Sequence, residues 1–316
     1  MHAGLSGLPL VARDRVKHAP RGAHLLFPVA LTTRLGMTRT SILASALTRV
    51  RSALANADEA WESSFMRDYL AWRLAFGITT PSTNTVVQPE YDDMRPAGVT
   101  NHLARMVIAD NPVTSDADFE RQLEDIDKAL EDAVARVMDA KPNAFILGIS
   151  ALAVWGGNVE WGEQLKARVR KVAGWDIPVT IASDAVVAGL KAHGVKKRIA
   201  IMEPYYPCIE PRLKGVLGAH GYEIVRFCHM RGKSPASYSV LTAKDMIDAI
   251  KSIDGPDVEA IVAFGANLPF GKLSDEAERW LDKPVLQINA TTYWHALRTA
   301  GITDKVYGYG SLLARF

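Results

Sequence analysis

The chain has 316 residues, 48% of them hydrophobic, and its 37 Lys/Arg nearly balance 35 Asp/Glu for a net charge of +2. That is the composition of an ordinary globular protein of one or two domains. It excludes a disordered chain, gives no field for recruiting nucleic acid, and contains no apolar run near the ~20 residues a bilayer-crossing helix needs. Between residues 1 and 57, eight basic side chains (Arg13, Arg15, Lys17, Arg21, Arg34, Arg39, Arg49 and Arg51) face one acid, Asp14. A basic, acid-poor stretch of this kind suits a targeting segment or a poorly ordered extension, with Met37 and Met66 as internal alternative starts, so residues 1–65 are set apart from the fold.

From Trp72 onward, apolar runs of strand length alternate with helix-period segments, which predicts a parallel sheet with crossover helices. Strands are expected near Arg73–Ile78, Val99–Ile108, Ala144–Ile149 and Pro178–Ala182. Between the second and third, Leu123, Ile126, Leu130, Val134 and Val137 recur at helical spacing, with Ser115 and Asp118 as a capping box upstream. The order then repeats: strands near Arg198–Glu203, Tyr222–Cys228, Ala260–Phe264 and Val285–Ile288, with Thr242 and Asp245 capping a helix that carries Met246, Ile247 and Ile250. The closing units, Ile177–Val195 and Lys283–Ile302, share Pro-Val, a later Ile, then Leu, a basic residue and Gly in similar register. Duplication explains this better than chance.

The fold predicted is therefore α/β with two pseudo-symmetric lobes, residues 66–190 and 191–316, each a four-stranded parallel sheet flanked by helices. The C-terminal segment is left free to return to the first lobe. The runs KPNAFILGIS (Lys141–Ser150) and DVEAIVAFGAN (Asp257–Asn267) each end on a glycine, Gly148 and Gly265. A strand ending there delivers the next residues into the cleft between the lobes, where α/β proteins place ligands.

Each half opens with a strand and a proline-bearing polar loop, GITTPSTNTVVQPEYDD (Gly77–Asp93) and MEPYYPCIEPRL (Met202–Leu213). Backbone N–H groups and hydroxyls at strand ends that lead into helices can hold an anion. Ser82, Thr83, Asn84 and Thr85 are candidates to hold a carboxylate, and equally good candidates for turn and cap chemistry. The two cysteines, Cys208 and Cys228, form no framework and no C-x-x-C, pointing to a reducing, cytoplasmic setting. No H-E-x-x-H spacing predicts a metal, and no G-x-G-x-x-G opening a helix predicts a dinucleotide. Gly148-Ile149-Ser150 begins like the G-x-S-x-G elbow of serine hydrolases, with Asp184 and His295 in order behind it, but Leu152 stands where the second glycine belongs.

The loop PSTNTVVQPEY, the segment GVTNHLARM (Gly98–Met106), the tyrosine loop PYYPCIEPRL and AIVAFGANLPFGKLSDEAE (Ala260–Glu278) together resemble the aspartate/glutamate racemase superfamily. Within it they are most similar to the maleate isomerase and arylmalonate decarboxylase branch. The resemblance runs from about Trp72 to the C-terminus and lies in the order of the four motifs. It implies a cofactor-free, metal-free site between the lobes, where hydroxyls and backbone amides hold a carboxylate and thiols act on the adjacent carbon. Carried onto this chain, the loop amide falls on Asn84, the cradle hydroxyl on Ser150, the second-half tyrosine on Tyr205 and a polar residue on Asn267.

The chain departs from the pattern at both thiol positions, which are Gly148 and Gly265. Opposed-thiol racemisation and thiol-adduct isomerisation are thereby lost. Cys208, three residues after Tyr205, is one candidate replacement, against its reading as a packed apolar residue; Tyr205, Tyr206, His102 and His295 are others. The expectation is a cofactor-independent lyase or isomerase acting on a small carboxylate or dicarboxylate through an enolate-like intermediate. Tyr205, Ser150 and Cys208 are the catalytic candidates; Thr83, Asn84, Gly148, Gly265, Ala266 and Asn267 are the binding ones. The competing reading is a non-catalytic carboxylate-binding protein of the same fold. A homodimer is the default oligomer.

Overall fold

The computed structural model describes residues 69–316; the extension expected over residues 1–65 lies outside them. The first half runs β1 (Leu74–Pro81), α1 (Val87–Asp93), β2 (Val99–Met106), α2 (Asp116–Lys128), α3 (Leu130–Met138), β3 (Ala144–Leu147), α4 (Ala151–Val154), α5 (Val159–Ala173), β4 (Val179–Thr180) and α6 (Ala182–Ala192). The second runs β5 (Arg198–Glu203), a 3₁₀ turn (Pro207–Ile209), α7 (Glu210–Gly218), β6 (Glu223–His229), a second 3₁₀ turn (Ala236–Val240), α8 (Ala243–Ile253), β7 (Ala260–Ala263), α9 (Gly271–Leu281), β8 (Val285–Gln287), α10 (Ile288–Thr299) and α11 (Ser311–Arg315).

Two four-stranded sheets result, ordered β2-β1-β3-β4 and β6-β5-β7-β8, with every pairing parallel. The identical order is the structural form of the repeat legible in the sequence. The inner strands β1, β3 and β7 are buried along their whole length, as parallel strands covered by helices on both faces must be.

Two local differences from the expected elements matter. β1 runs on through Thr79, Thr80 and Pro81, because the β-branched threonines keep pairing with β2 as far as Met106 and Thr80 Oγ1 donates to the Gly148 carbonyl at 2.8 Å. The apolar stripe from Leu123 to Val137 is shared between two helices, divided at Ala129, where φ −89° and ψ −2° tighten the chain. Thr242 and Asp245 form the full reciprocal capping box. Ser115 forms only half of one: the Asp118 N–H donates to its hydroxyl, while the Asp118 carboxylate accepts the Thr114 N–H and the Thr114 and Ser115 hydroxyls and not the Ser115 N–H.

The halves are tied together by α10, which follows β8 yet packs on α6, α1, β3 and β4. Its Tyr293 stacks on Tyr91 at 4.8 Å and tilts against Phe76 at 5.6 Å, so a second-half helix completes the first-half core. One apolar core runs through both sheets, and a smaller one lies between the second sheet and α8–α9. Among the described residues, no helix is long and apolar enough to cross a membrane.

Candidate active site

The strand ends of both sheets converge on four loops, and two asparagines stitch them together. Asn84 Oδ1 accepts the N–H groups of Val86 and Val87, both at 2.9 Å, closing the entry to α1. Its Nδ2 reaches across to the Ala266 carbonyl at 3.2 Å. Asn267 answers from the second half, accepting Thr85 N–H at 3.0 Å and donating to the carbonyls of Pro235 and Thr83. Asn84 therefore does the capping work expected of its loop and spends its amide on a bond between the halves.

At the centre lies Ser150, fully buried, whose hydroxyl is 2.7 Å from the Tyr205 hydroxyl and accepts the Ala266 N–H at 3.2 Å. The N–H groups of Ala266 and Ala151 also act on the Tyr205 oxygen. Two hydroxyls and two backbone amides, drawn from β3, β5 and β7 ends, thus share one small volume, the arrangement that stabilises negative charge on oxygen. Burial drives the Tyr205 phenol well above its ordinary range, with the Ser150 bond opposing, so Tyr205 is a donor and not an anion at neutral pH. Its ring stacks on Phe119 at 4.9 Å.

Behind Tyr205 sits a buried charge relay that sequence reasoning missed. The Glu203 carboxylate, wholly buried, accepts the Tyr205 N–H and pairs with His229 Nδ1, while His229 Nε2 lies 2.8 Å from Glu210. Burial works to lower His229, but its two carboxylate partners outweigh it and raise it; burial raises Glu203 in turn, with His229 opposing. A second relay orients Ala266: Asn289 Nδ2 donates to the Ala266 carbonyl at 3.1 Å and to Glu90 at 2.7 Å. Glu90 also receives Gln287 Nε2 and the Gly271 N–H at the start of α9.

The cavity beside these donors is lined by Thr83, Asn84, Gln122, Leu123, Ile126, Ile149, Ala151, Tyr205, Pro235, Tyr238, Ala266 and Asn267, with Pro81 at its edge. Its volume is about 30 Å³, room for one or two waters. Gly148 and Gly265 stand behind the lining, and neither has space for a side chain. A Cβ at Gly148 would lie 2.9 Å from the Thr79 carbonyl oxygen; one at Gly265 would lie 2.6 Å from Pro204 Cδ and 2.7 Å from Leu268 Cδ1.

Cys208 is not brought to the cavity. Pro207 opens a 3₁₀ turn that directs Cys208 to α2, where its N–H donates to Asp116 and its Sγ lies 3.9 Å from the Asp116 carbonyl. Burial, reinforced by Asp116, pushes this thiol up to about 12, the opposite of an activated nucleophile. Tyr206 donates to the Val113 carbonyl, and His102 bonds Thr100 on β2. The hydrolase triad does not assemble: Ser150 is engaged with Tyr205, Asp184 pairs with Lys166 at 2.8 Å, and His295 Nδ1 is buried without a partner. Among the described residues, no group of three or more His, Cys, Asp or Glu is placed to hold a metal. Gln122, Pro235 and Tyr238 were not foreseen: Gln122 flanks the apolar stripe of its helix, and Pro235 and Tyr238 lie in a segment without motif or repeat.

Solved structures share this fold. A maleate cis-trans isomerase from Nocardia farcinica, a cysteine-to-serine mutant carrying a covalently bound succinylcysteine intermediate, superposes with a TM-score of 0.69 at 23% identity, covering 77% of this chain and 98% of that one. A maleate isomerase from Pseudomonas putida with maleate gives 0.69 at 21% identity, covering 76% and 97%. A double mutant of arylmalonate decarboxylase in liganded form gives 0.63 at 22%, covering 75% and 97%. Among curated proteins no relative matches. The arylmalonate decarboxylase family model matches residues 112–313, all of the second sheet, β3 and β4 of the first and three of the four site loops, and by that match the chain belongs to the arylmalonate decarboxylase family.

Proposed function

We propose that the protein is a cofactor-independent decarboxylase that works without a catalytic thiol on a small carboxylate bearing an apolar substituent. Family membership already makes it an enzyme of decarboxylase or isomerase type. The observation that carries the finer reading is the cluster of Ser150 Oγ, Tyr205 OH and the Ala266 N–H beside a cavity whose remaining wall is largely apolar. One carboxylate of the substrate replaces the mutual hydrogen bonds of Ser150 and Tyr205 and takes the amides of Ala266 and Ala151. The second carboxylate faces Leu123, Ile126 and Ile149, an environment that disfavours its charge and favours its departure as CO₂. The electrons left behind form an enediolate, whose oxygens sit where the four donors already point.

Isomerisation through a thiol adduct is the weaker reading, since side chains are sterically excluded at both Gly148 and Gly265 and Cys208 faces Asp116. The cytoplasmic setting expected from the sequence rests on Cys208 and Cys228 being free thiols. The test is CO₂ release and cis–trans isomerisation across a panel of alkyl- and arylmalonates and maleate, with wild type and Tyr205→Phe. Loss of one such donor lowers kcat by about 10²–10³. Unchanged turnover in Tyr205→Phe removes the cradle assignment; carboxylate binding with no turnover of any member by the wild type replaces the enzyme reading with the binding-protein one.

A further inference from the structure

Decarboxylation leaves a carbon that must be protonated, and the two glycines deny that task to a thiol. Of the side chains lining the cavity, only Tyr205 and Tyr238 carry a titratable group. Tyr205 is committed to oxygen, bonded to Ser150 with the amides of Ala266 and Ala151 around it. Tyr238 stands across from it, edge to face with ring centroids 5.7 Å apart, and its hydroxyl donates to Gln122 Oε1 at 3.0 Å.

We propose that Tyr238 is the catalytic acid, delivering its phenolic proton to the carbon face of the enediolate held by Ser150, Tyr205 and Ala266; this rests on the decarboxylase reading above. The placement is built. The 3₁₀ turn that carries Tyr238 is tied down by Asn267 Nδ2 on the Pro235 carbonyl and by the Ala236 N–H on Asp110. Gly232 lets the ring lie flat against the chain, since a Cβ there would fall 2.1 Å from Tyr238 Cδ1. The side chain is 3% exposed. Burial raises the Tyr238 phenol far above its ordinary range, so it enters each cycle protonated.

The step balances as follows. Loss of CO₂ from a malonate dianion leaves the bonding pair on the remaining carbon. That pair takes the Tyr238 proton, a C–H bond forms, the O–H bond breaks, and a phenolate remains. The phenolate takes a proton from water and hydroxide leaves to solvent. Gln122 marks the route: it lines both the inner cavity and a neighbouring outer pocket of about 330 Å³ that holds Asn111, Asp118 and Arg121.

The experiment uses an α-methyl-α-phenylmalonate as probe, in D₂O, with wild type and Tyr238→Phe, which keeps the packing ring and loses only the hydroxyl. Expected are a fall in kcat of about 10²–10⁴, KM within a few-fold of wild type, and loss of enantiomeric excess in the residual product as water protonates from either face. A melting temperature close to wild type excludes a folding effect. Wild-type kcat and enantiomeric purity in Tyr238→Phe overturn the proposal while leaving the decarboxylase reading intact. A wild type that decarboxylates no malonate overturns both.

Discussion

Restoring a thiol at Gly265 should damage the protein and not revive thiol chemistry. A Cβ at this position would meet Pro204 Cδ at 2.6 Å and Leu268 Cδ1 and Cγ at 2.7 and 2.8 Å, against ordinary contacts of about 3.5–4 Å. Leu268 is fully buried and Pro204 is a ring locked between Glu203 and Tyr205, so neither yields freely. Overpacking of this kind costs about 1–3 kcal/mol, a drop in Tm of roughly 2–6 °C for a protein of this size. Leu268→Ala alone costs about 2–5 kcal/mol through its cavity. Because that cavity is where the new side chain would go, the double variant should be more stable than the sum of the singles by about 0.5–3 kcal/mol. Urea denaturation of the four proteins measures the cycle, and a disulfide reagent on the folded Gly265→Cys variant reads the exposure of its thiol. Wild-type stability for Gly265→Cys, or strict additivity in the cycle, would refute the steric argument.

Glu90 sets a pH dependence of stability. Burial lifts its carboxyl from 4.5 to about 7 even though Asn289, Gly271 and Gln287 donate to it. The folded state therefore holds the proton more tightly than the unfolded one. Stability from this group is fully present below about pH 4.5 and is lost as pH rises through about 7, a difference on the order of 3 kcal/mol. Chemical denaturation at pH 5 and pH 8 should show that slope in the wild type and lose it in Glu90→Gln; an unchanged slope assigns it elsewhere. Asn289→Ala removes one of two amides on the Ala266 carbonyl without touching the cavity lining. Turnover of whichever probe the wild type accepts should fall about tenfold at near-constant KM, and a raised KM with normal kcat would mean that Asn289 serves binding alone.

The architecture was readable because it is written in long-range periodicity. Eight apolar runs, each starting near an observed strand and separated by helix-period segments, leave little choice of sheet type, and the matched order of two halves predicts their common strand order. What the pattern could not show is where one element gives way to the next. The stripe through Leu130 looks continuous because α2 and α3 bury the same face, and the break at Ala129 changes the path of the chain without changing which residues are apolar.

The site was readable only where it is made by strand ends. Asn84, Ser150, Tyr205, Ala266 and Asn267 follow directly on β1, β3, β5 and β7, so their convergence follows from the sheet order. Tyr238 and Gln122 come from a 3₁₀ turn and a helix flank, and nothing in the local sequence marks which side chain of SPASYSV will face inward. Cys208 failed for a local reason: three residues after Tyr205 is a full helical turn only if a helix begins there, and Pro207 begins a 3₁₀ turn instead.

The two thiol positions are closed by different means, and the difference bears on how the site works. At Gly148 the obstacle is main chain, the Thr79 carbonyl that also accepts the Gly148 N–H at 2.8 Å, so any side chain there competes with the β1–β3 pairing itself. At Gly265 the obstacle is Pro204, whose neighbour Tyr205 brings its hydroxyl to the Ser150 oxygen that the Ala266 N–H also serves. Pro204-Tyr205 and Gly265-Ala266 thus meet as two dipeptides, one contact excluding a side chain and the next contributing to the proposed carboxylate cradle. Moving Pro204 far enough to admit a thiol would draw Tyr205 away from the cradle. The geometry of the proposed carboxylate cradle is therefore the same geometry that closes Gly265 to a side chain.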